Sequence, residues 1–104
     1  MKRALLLFFL LSGCASTTAE YIGKLEGYRV VQGYIFKLDG LTDPKVTKLK
    51  NGTAYEVTTE GCTVLMYFDK RDPRTRRRME QEFQLKPGDR FINSRPTSFV
   101  LIKE

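Results

Sequence analysis

The chain has no histidine and no tryptophan, only two cysteines and four prolines among its 104 residues, and no apolar run longer than the eight residues of Ala4 to Leu11. The missing histidine removes the commonest general base and the commonest metal ligand. Carboxylate pairs such as Asp69/Asp72 and Glu80/Glu82 stand beside arginines and read as solvated partners of those charges. No enzyme is therefore expected, and with it no catalytic residue, no metal site, no dissociable cofactor and no small-molecule substrate. An eight-residue run is also far short of the about 20 apolar residues that a bilayer-spanning helix needs.

The short run has a different meaning at its position. Met1, Lys2 and Arg3 precede it, and a basic start followed by a brief apolar core is the organisation of a secretion signal. Leu11-Ser12-Gly13-Cys14 comes next, an aliphatic residue, two small ones and a cysteine. This tetrapeptide resembles the lipobox of bacterial lipoprotein precursors. The resemblance implies that the Cys14 thiol takes a diacylglyceryl group, that cleavage removes residues 1–13, and that the new amino group of Cys14 is acylated. It also implies a location. In that family an Asp directly after the cysteine favours inner-membrane retention in enteric-type Gram-negative bacteria, and Ala15 stands there. The expectation is the cell envelope, on the periplasmic face of the outer membrane in a Gram-negative host.

Removal of residues 1–13 leaves 91 of the 104 residues, enough for one domain and too few for two. It also lowers the formal charge from +6 to +4, since Lys2 and Arg3 leave with the signal. A basic chain ordinarily suggests nucleic acid; an exported domain does not meet it, and no nucleic-acid partner is expected. With Cys14 consumed by lipid, Cys62 has no partner within the chain. Its place on an apolar strand face assigns it to the core. Residues 14–20, the lipidated cysteine followed by small polar residues, read as a flexible tether, and residues 21–104 as the domain.

Within that domain β-branched and aromatic residues recur between turn signals, which predicts short strands. In Gly27 to Leu38, Gly33 interrupts a long strand and suggests a bulge or a bend by which one strand serves two sheets. Asn51-Gly52 suits a type I′ turn pairing Lys50 with Thr53, Lys48 with Tyr55 and Val46 with Val57, with Val46, Tyr55 and Val57 on the half-buried face. Glu60-Gly61 predicts a tight turn into Cys62 to Phe68, whose Cys62, Val64, Met66 and Phe68 share a core face. Residues 73–84 fit either a helix opened by Asp72-Pro73 or a basic loop followed by a strand from Met79 to Leu85, the second being preferred. A turn at Lys86 to Asp89 and strands at Arg90 to Asn93 and Ser98 to Ile102 complete the reading.

Five to six strands of this kind predict a mostly β fold closed into a small barrel, SH3-like or OB-like, because closure removes exposed edges. Leu85-Lys86-Pro87-Gly88-Asp89-Arg90-Phe91 is similar to the hairpins of many small bacterial barrels, including C-terminal domains of some outer-membrane lipoproteins.

The remaining feature is Lys70 to Arg78, whose six basic residues and one Asp give it a charge of +5. Arginine presents a planar fork matched to phosphate and carboxylate. Arg74, Arg76, Arg77 and Arg78 are the candidate contacts to anionic lipid, lipopolysaccharide, peptidoglycan or an acidic protein, beside the membrane held through the lipid anchor. The expected function is a non-catalytic envelope binding or structural module. The alternative is a phage- or plasmid-type exclusion lipoprotein that blocks an outer-membrane receptor or a hydrolase.

Overall fold

A computed structural model describes residues 16–104. The expected signal peptide and the lipidation site Cys14 lie outside the described residues. One short helix, α1 (Thr18–Gly23), precedes seven strands: β1 (Tyr28–Asp39), β2 (Lys45–Leu49), β3 (Gly52–Glu56), β4 (Cys62–Arg71), β5 (Arg78–Leu85), β6 (Arg90–Ser94) and β7 (Ser98–Lys103). The strands form one antiparallel sheet in the order β2-β3-β6-β7-β1-β4-β5. Among the described residues no helix is long and apolar enough to cross a membrane.

Strand β1 organises the fold by changing partner at its glycine. Tyr28 to Gly33 pair with β7, and Tyr34 to Asp39 pair with β4. Gly33 is buried there, and a Cβ on it would lie 2.6 Å from the Tyr67 carbonyl oxygen. No larger residue fits that approach, so the glycine is what lets one strand serve both halves of the sheet. Three residues further on, Phe36 is bulged out between the pairs Ile35/Met66 and Lys37/Leu65.

The two halves enclose the main core. Cys62, Val64 and Met66 of β4 and Phe83 and Leu85 of β5 pack with Phe91 of β6, Val100 of β7 and Val57. The opposite face of the β3-β6-β7 half carries a second cluster, Leu49, Ala54, Ile92 and Leu101, covered by Tyr21, Ile22, Leu25 and Tyr28. Side chains alternate across a strand, so burial of both Phe91 and Ile92, and of both Val100 and Leu101, requires cover on both faces. Helix α1 and the segment after it supply the outer cover.

This arrangement corrects the expected closed barrel. The sheet has seven strands rather than five or six, and β2 and β5 remain its two edges. Both edges carry charge beside one exposed apolar residue each: Lys45 and Lys48 flank Val46 on β2, and Arg78, Glu80 and Glu82 surround Met79 on β5. Charges protect an edge from pairing with another strand, which makes closure unnecessary. Residues 17–20, expected to be flexible tether, belong instead to the cap and first turn of α1. Thr17 caps α1, its hydroxyl accepting from the Glu20 N–H at 3.2 Å while the Glu20 carboxylate accepts from the Thr17 N–H at 2.9 Å. That reciprocal pair satisfies two of the helix's free donors, and Thr18 is buried.

Two further expectations are overturned by the β2-β3 hairpin. Its pairs are Leu49 with Gly52, Lys48 with Thr53 and Val46 with Tyr55, so the connecting residues are Lys50 and Asn51. The shift keeps the same residues on each face but leaves Val46 at 52% exposure on the sheet edge. Gly52 is not a turn residue of positive φ. A Cβ on it would lie 2.2 Å from the Asn93 carbonyl oxygen, so close approach of β6 is what requires the glycine. Residues 78–85 form a strand and not a helix.

Candidate functional site

The basic stretch is the end of the β4-β5 hairpin. Arg71 pairs with Arg78, and because Tyr67 pairs with Glu80, strand β4 carries extra residues that distort the hairpin before its loop. The loop itself is held by Asp72. Its carboxylate oxygen Oδ1 accepts from the N–H groups of Arg74 at 2.7 Å and Thr75 at 3.3 Å, its carbonyl accepts from the Arg76 N–H at 2.8 Å, and its own N–H donates to the Arg77 carbonyl at 2.8 Å. An aspartate that satisfies the backbone just after it is a common device for a tight turn. Arg76 takes a positive φ of 62° to bring the chain back, and Arg71 Nη1 donates to the Arg76 carbonyl at 2.8 Å. One acidic side chain and one arginine thus fix the backbone that presents the other arginines.

All four arginines singled out in the sequence are exposed: Arg74, Arg76 and Arg77 on the loop, and Arg78 as the first residue of β5. The structure gathers only part of that set. Arg77 and Arg78 line a depression of about 500 Å³ together with Arg71, Tyr67 and Glu80, whereas Arg74 and Arg76 are not in its wall. The ion pairs among the described residues are Lys37 with Asp39 and Arg90 with Glu56, so none of these arginines lies within salt-bridge distance of a carboxylate. Their charge is available to an external anion.

The charge run does not disclose the aromatic half of this surface. Tyr34 pairs across the strands with Tyr67, and the bulged Phe36 stacks on the Tyr67 ring with centroids 4.0 Å apart. The Arg78 guanidinium sits 5.9 Å from the centre of the Tyr34 ring, within the range of a cation–π contact. Tyr34 and Phe36 remain 39% and 42% exposed. The signal was present in Gly27 to Leu38, whose two sides are both partly apolar, but only the pairing with β4 shows which rings stay outside.

A second concave region lies between α1, β1 and the β6-β7 connection. It is a groove of about 530 Å³ whose wall includes Ile22, Val30, Pro96 and Phe99. Arg95 and Asn51 stand at its rim, and its polar content is small.

Neither region includes a cysteine. Cys62 is buried in the main core; burial pushes its thiol above the ordinary range and the nearby Asp89 charge pushes it further. A thiol so placed is a poor source of thiolate. Among the described residues no group of three His, Cys, Asp or Glu side chains is arranged to hold a metal ion. Arg90 is engaged internally: Nη1 donates to the Tyr21 hydroxyl at 2.6 Å and Nε to the Tyr28 hydroxyl at 3.1 Å, joining α1 to the sheet. Burial works against its charge, but these two hydroxyls outweigh it and raise the pKa of the guanidinium.

No protein-family model matches the chain, and no curated protein or solved structure is detectably similar to it.

Proposed function

We propose that the chain is an exported lipoprotein, anchored through acyl chains on Cys14, whose domain is a non-catalytic module that contacts anionic envelope material through the arginines of the β4-β5 hairpin. The order of Lys2-Arg3, Ala4 to Leu11 and Leu11-Ser12-Gly13-Cys14 supports the anchor. Two or more acyl chains hold a protein on a membrane far more firmly than one, since each buried methylene adds about 0.8 kcal/mol. Ala15 in the place after the cysteine favours the outer membrane. The observation that carries the binding reading is the hairpin itself: Asp72 and Arg71 hold its backbone, while Arg74, Arg76, Arg77 and Arg78 lie exposed with no carboxylate partner among the described residues.

Two measurements test the parts separately. Metabolic labelling with radioactive palmitate marks the wild-type chain and leaves Cys14→Ser unlabelled; a wild-type chain that stays cold removes the anchor. Sedimentation with peptidoglycan sacculi and with phosphatidylglycerol vesicles then reads the hairpin. Replacing Arg76, Arg77 and Arg78 together by Ala weakens sedimentation with at least one of the two, and the wild-type interaction falls as salt rises. Equal sedimentation of the triple variant with both would end the binding reading.

A further inference from the structure

The groove, the exposed rings and the hairpin are not scattered over the molecule. Val30, Gln32 and Tyr34 follow each other on one side of β1, and Phe36 is turned outward by its bulge. Val30, Tyr34 and Phe36 are 43%, 39% and 42% exposed, three of the five large hydrophobic residues that the described domain leaves in solvent. Val30 belongs to the wall of the apolar groove beside α1, and Tyr34 lies under Arg78 at the base of the basic hairpin. The outer side of β1 therefore carries exposed apolar side chains on both sides of Gln32, from the groove to the arginines.

Hydrogen bonds tie the beginning of the described chain to the same region. The Ser16 carbonyl accepts from the Lys50 N–H at 2.9 Å, the next residue, Asn51, donates through Nδ2 to the Arg95 carbonyl at 3.2 Å, and the Thr97 hydroxyl donates to the Gly33 carbonyl at 2.8 Å. Gly33 is followed by Tyr34 and hence by the Arg78 contact. Cys14 precedes Ser16 by two residues in the sequence, a reach of about 7 Å for a fully extended chain. An acyl chain on Cys14 would start within that reach of Ser16, two residues before Thr18 of the groove wall. Around this side of β1 stand Arg95 at one end and, at the other, Arg71, Arg77 and Arg78 with a single acid, Glu80, so the balance there is +2.

We infer that this face, the outer side of β1 with the groove and the hairpin, rests on an anionic lipid surface, so that the domain lies against the bilayer that holds its anchor. The inference rests on the lipoprotein reading and deepens it by naming lipid as the hairpin's anion. Exposed apolar side chains interleaved with arginines match a headgroup layer, whose phosphates take the guanidinium forks while the rings and Val30 enter the acyl boundary. A glycan or an acidic protein would satisfy the arginines but gives no reason for a groove of apolar walls so close in sequence to Cys14.

The chain's lack of tryptophan supplies the test, because a single introduced indole is then a unique reporter. The mature, acylated protein carrying Tyr34→Trp is reconstituted into vesicles of brominated phosphatidylglycerol and phosphatidylethanolamine, with Phe36→Trp as a second reporter and Val46→Trp on the edge strand β2 as the reference. The expected result is severalfold stronger quenching at positions 34 and 36 than at 46, with a blue-shifted emission. Adding Arg77→Ala and Arg78→Ala to the Tyr34→Trp protein, or replacing phosphatidylglycerol by phosphatidylcholine, reduces the quenching at position 34. Equal quenching at all three positions, or a solvent-exposed indole at both 34 and 36, overturns the inference. So does quenching at 34 that ignores both the arginines and the headgroup charge. If the anchored protein instead binds sacculi through Arg76 to Arg78 while Tyr34→Trp stays in water, the inference fails and the broader binding reading survives.

Discussion

The side-chain oxygen of Asn51 accepts two hydrogen bonds from Thr18, one from its backbone N–H at 3.1 Å and one from its hydroxyl at 2.9 Å. The amide's other end donates to the Arg95 carbonyl, and the Asn51 carbonyl accepts from the Arg95 N–H at 3.1 Å. One side chain thus joins the start of α1, the β2-β3 turn and the β6-β7 connection. Asn51→Ala removes three of these bonds, each worth roughly 1 kcal/mol where solvent is partly excluded, so a loss of about 2 kcal/mol is expected after solvent replacement. Urea unfolding reads that loss. Amide exchange distinguishes its origin: residues 18–23 gain exchange rate in the variant while β4 and β5 do not. Uniform acceleration would mean that Asn51 supports the whole sheet and not the helix.

Gly52 makes a prediction that separates two roles a glycine can have after asparagine. In a type I′ turn its value is a positive φ; here it is space, since a Cβ would meet the Asn93 carbonyl oxygen at 2.2 Å and Ser94 Cα at 2.6 Å. Gly52→Ala must push β3 away from β6, and overpacking of this kind costs about 2 kcal/mol or more. Gly23 is the control, because nothing lies within 4 Å of its added Cβ. Gly23→Ala at the end of α1 is expected to be neutral or stabilising by a few tenths of a kcal/mol. Thermal unfolding of the two variants checks the contrast; similar melting temperatures would refute the packing account.

These positions also show what the residues disclose before a structure is known. Gly33 was legible as the place where one strand serves two halves, because a glycine inside a long β-branched and aromatic run marks a bulge, a bend or a close backbone approach. Burial of Cys62, Val64 and Met66 followed from period-two alternation, and the strand through Phe83 and Leu85 from the same rule. The register of the β2-β3 hairpin was not legible. Asn51-Gly52 carries a strong turn preference, yet Asn51 is held by Thr18 and Arg95, which lie 33 and 44 residues away in sequence. The open edges escaped for a related reason: the first half of α1 lies in what composition marks as a tether, and without the helix as cover on Ile92 and Leu101 a closed barrel is the simpler way to bury both faces. At the candidate site the arginines were visible as a charge run, whereas Tyr34, Phe36 and Tyr67 became one surface only through the pairing of β1 with β4.

Asp89 is the internal acceptor of the turn between β5 and β6. Its residue is only 6% exposed; Oδ2 accepts from the Lys86 N–H at 2.8 Å and Oδ1 from the Lys103 N–H at 2.8 Å, while its carbonyl accepts from the Val57 N–H. The carboxylate therefore connects its own turn to the last strand. Asp89→Ala strands two backbone donors and is expected to cost about 3 kcal/mol. Asp89→Asn keeps one acceptor and places an amide N–H against the other donor, so an intermediate loss is expected in the same urea titration. A full recovery in Asn would show that the negative charge contributes nothing.

Cys62 joins burial to chemistry in one measurable group. The native protein is expected to resist a thiol reagent at neutral pH and to react only at the rate of unfolding, because the side chain is 5% exposed and its thiol is held protonated. The sign of the linkage follows from that protonation. A folded pKa above the unfolded one means that the native state keeps its proton where the unfolded chain has lost it, so the contribution is complete below the unfolded value of about 8.5 and falls as pH rises past it. Cys62→Ala lacks this titration. The stability gap between wild type and Cys62→Ala, measured by urea unfolding at pH 7 and again at pH 9.5 under reducing conditions, should narrow at the higher pH. A constant gap, or rapid labelling of the native chain, would place the thiol in contact with solvent and contradict the packing of β4 against β6 and β7.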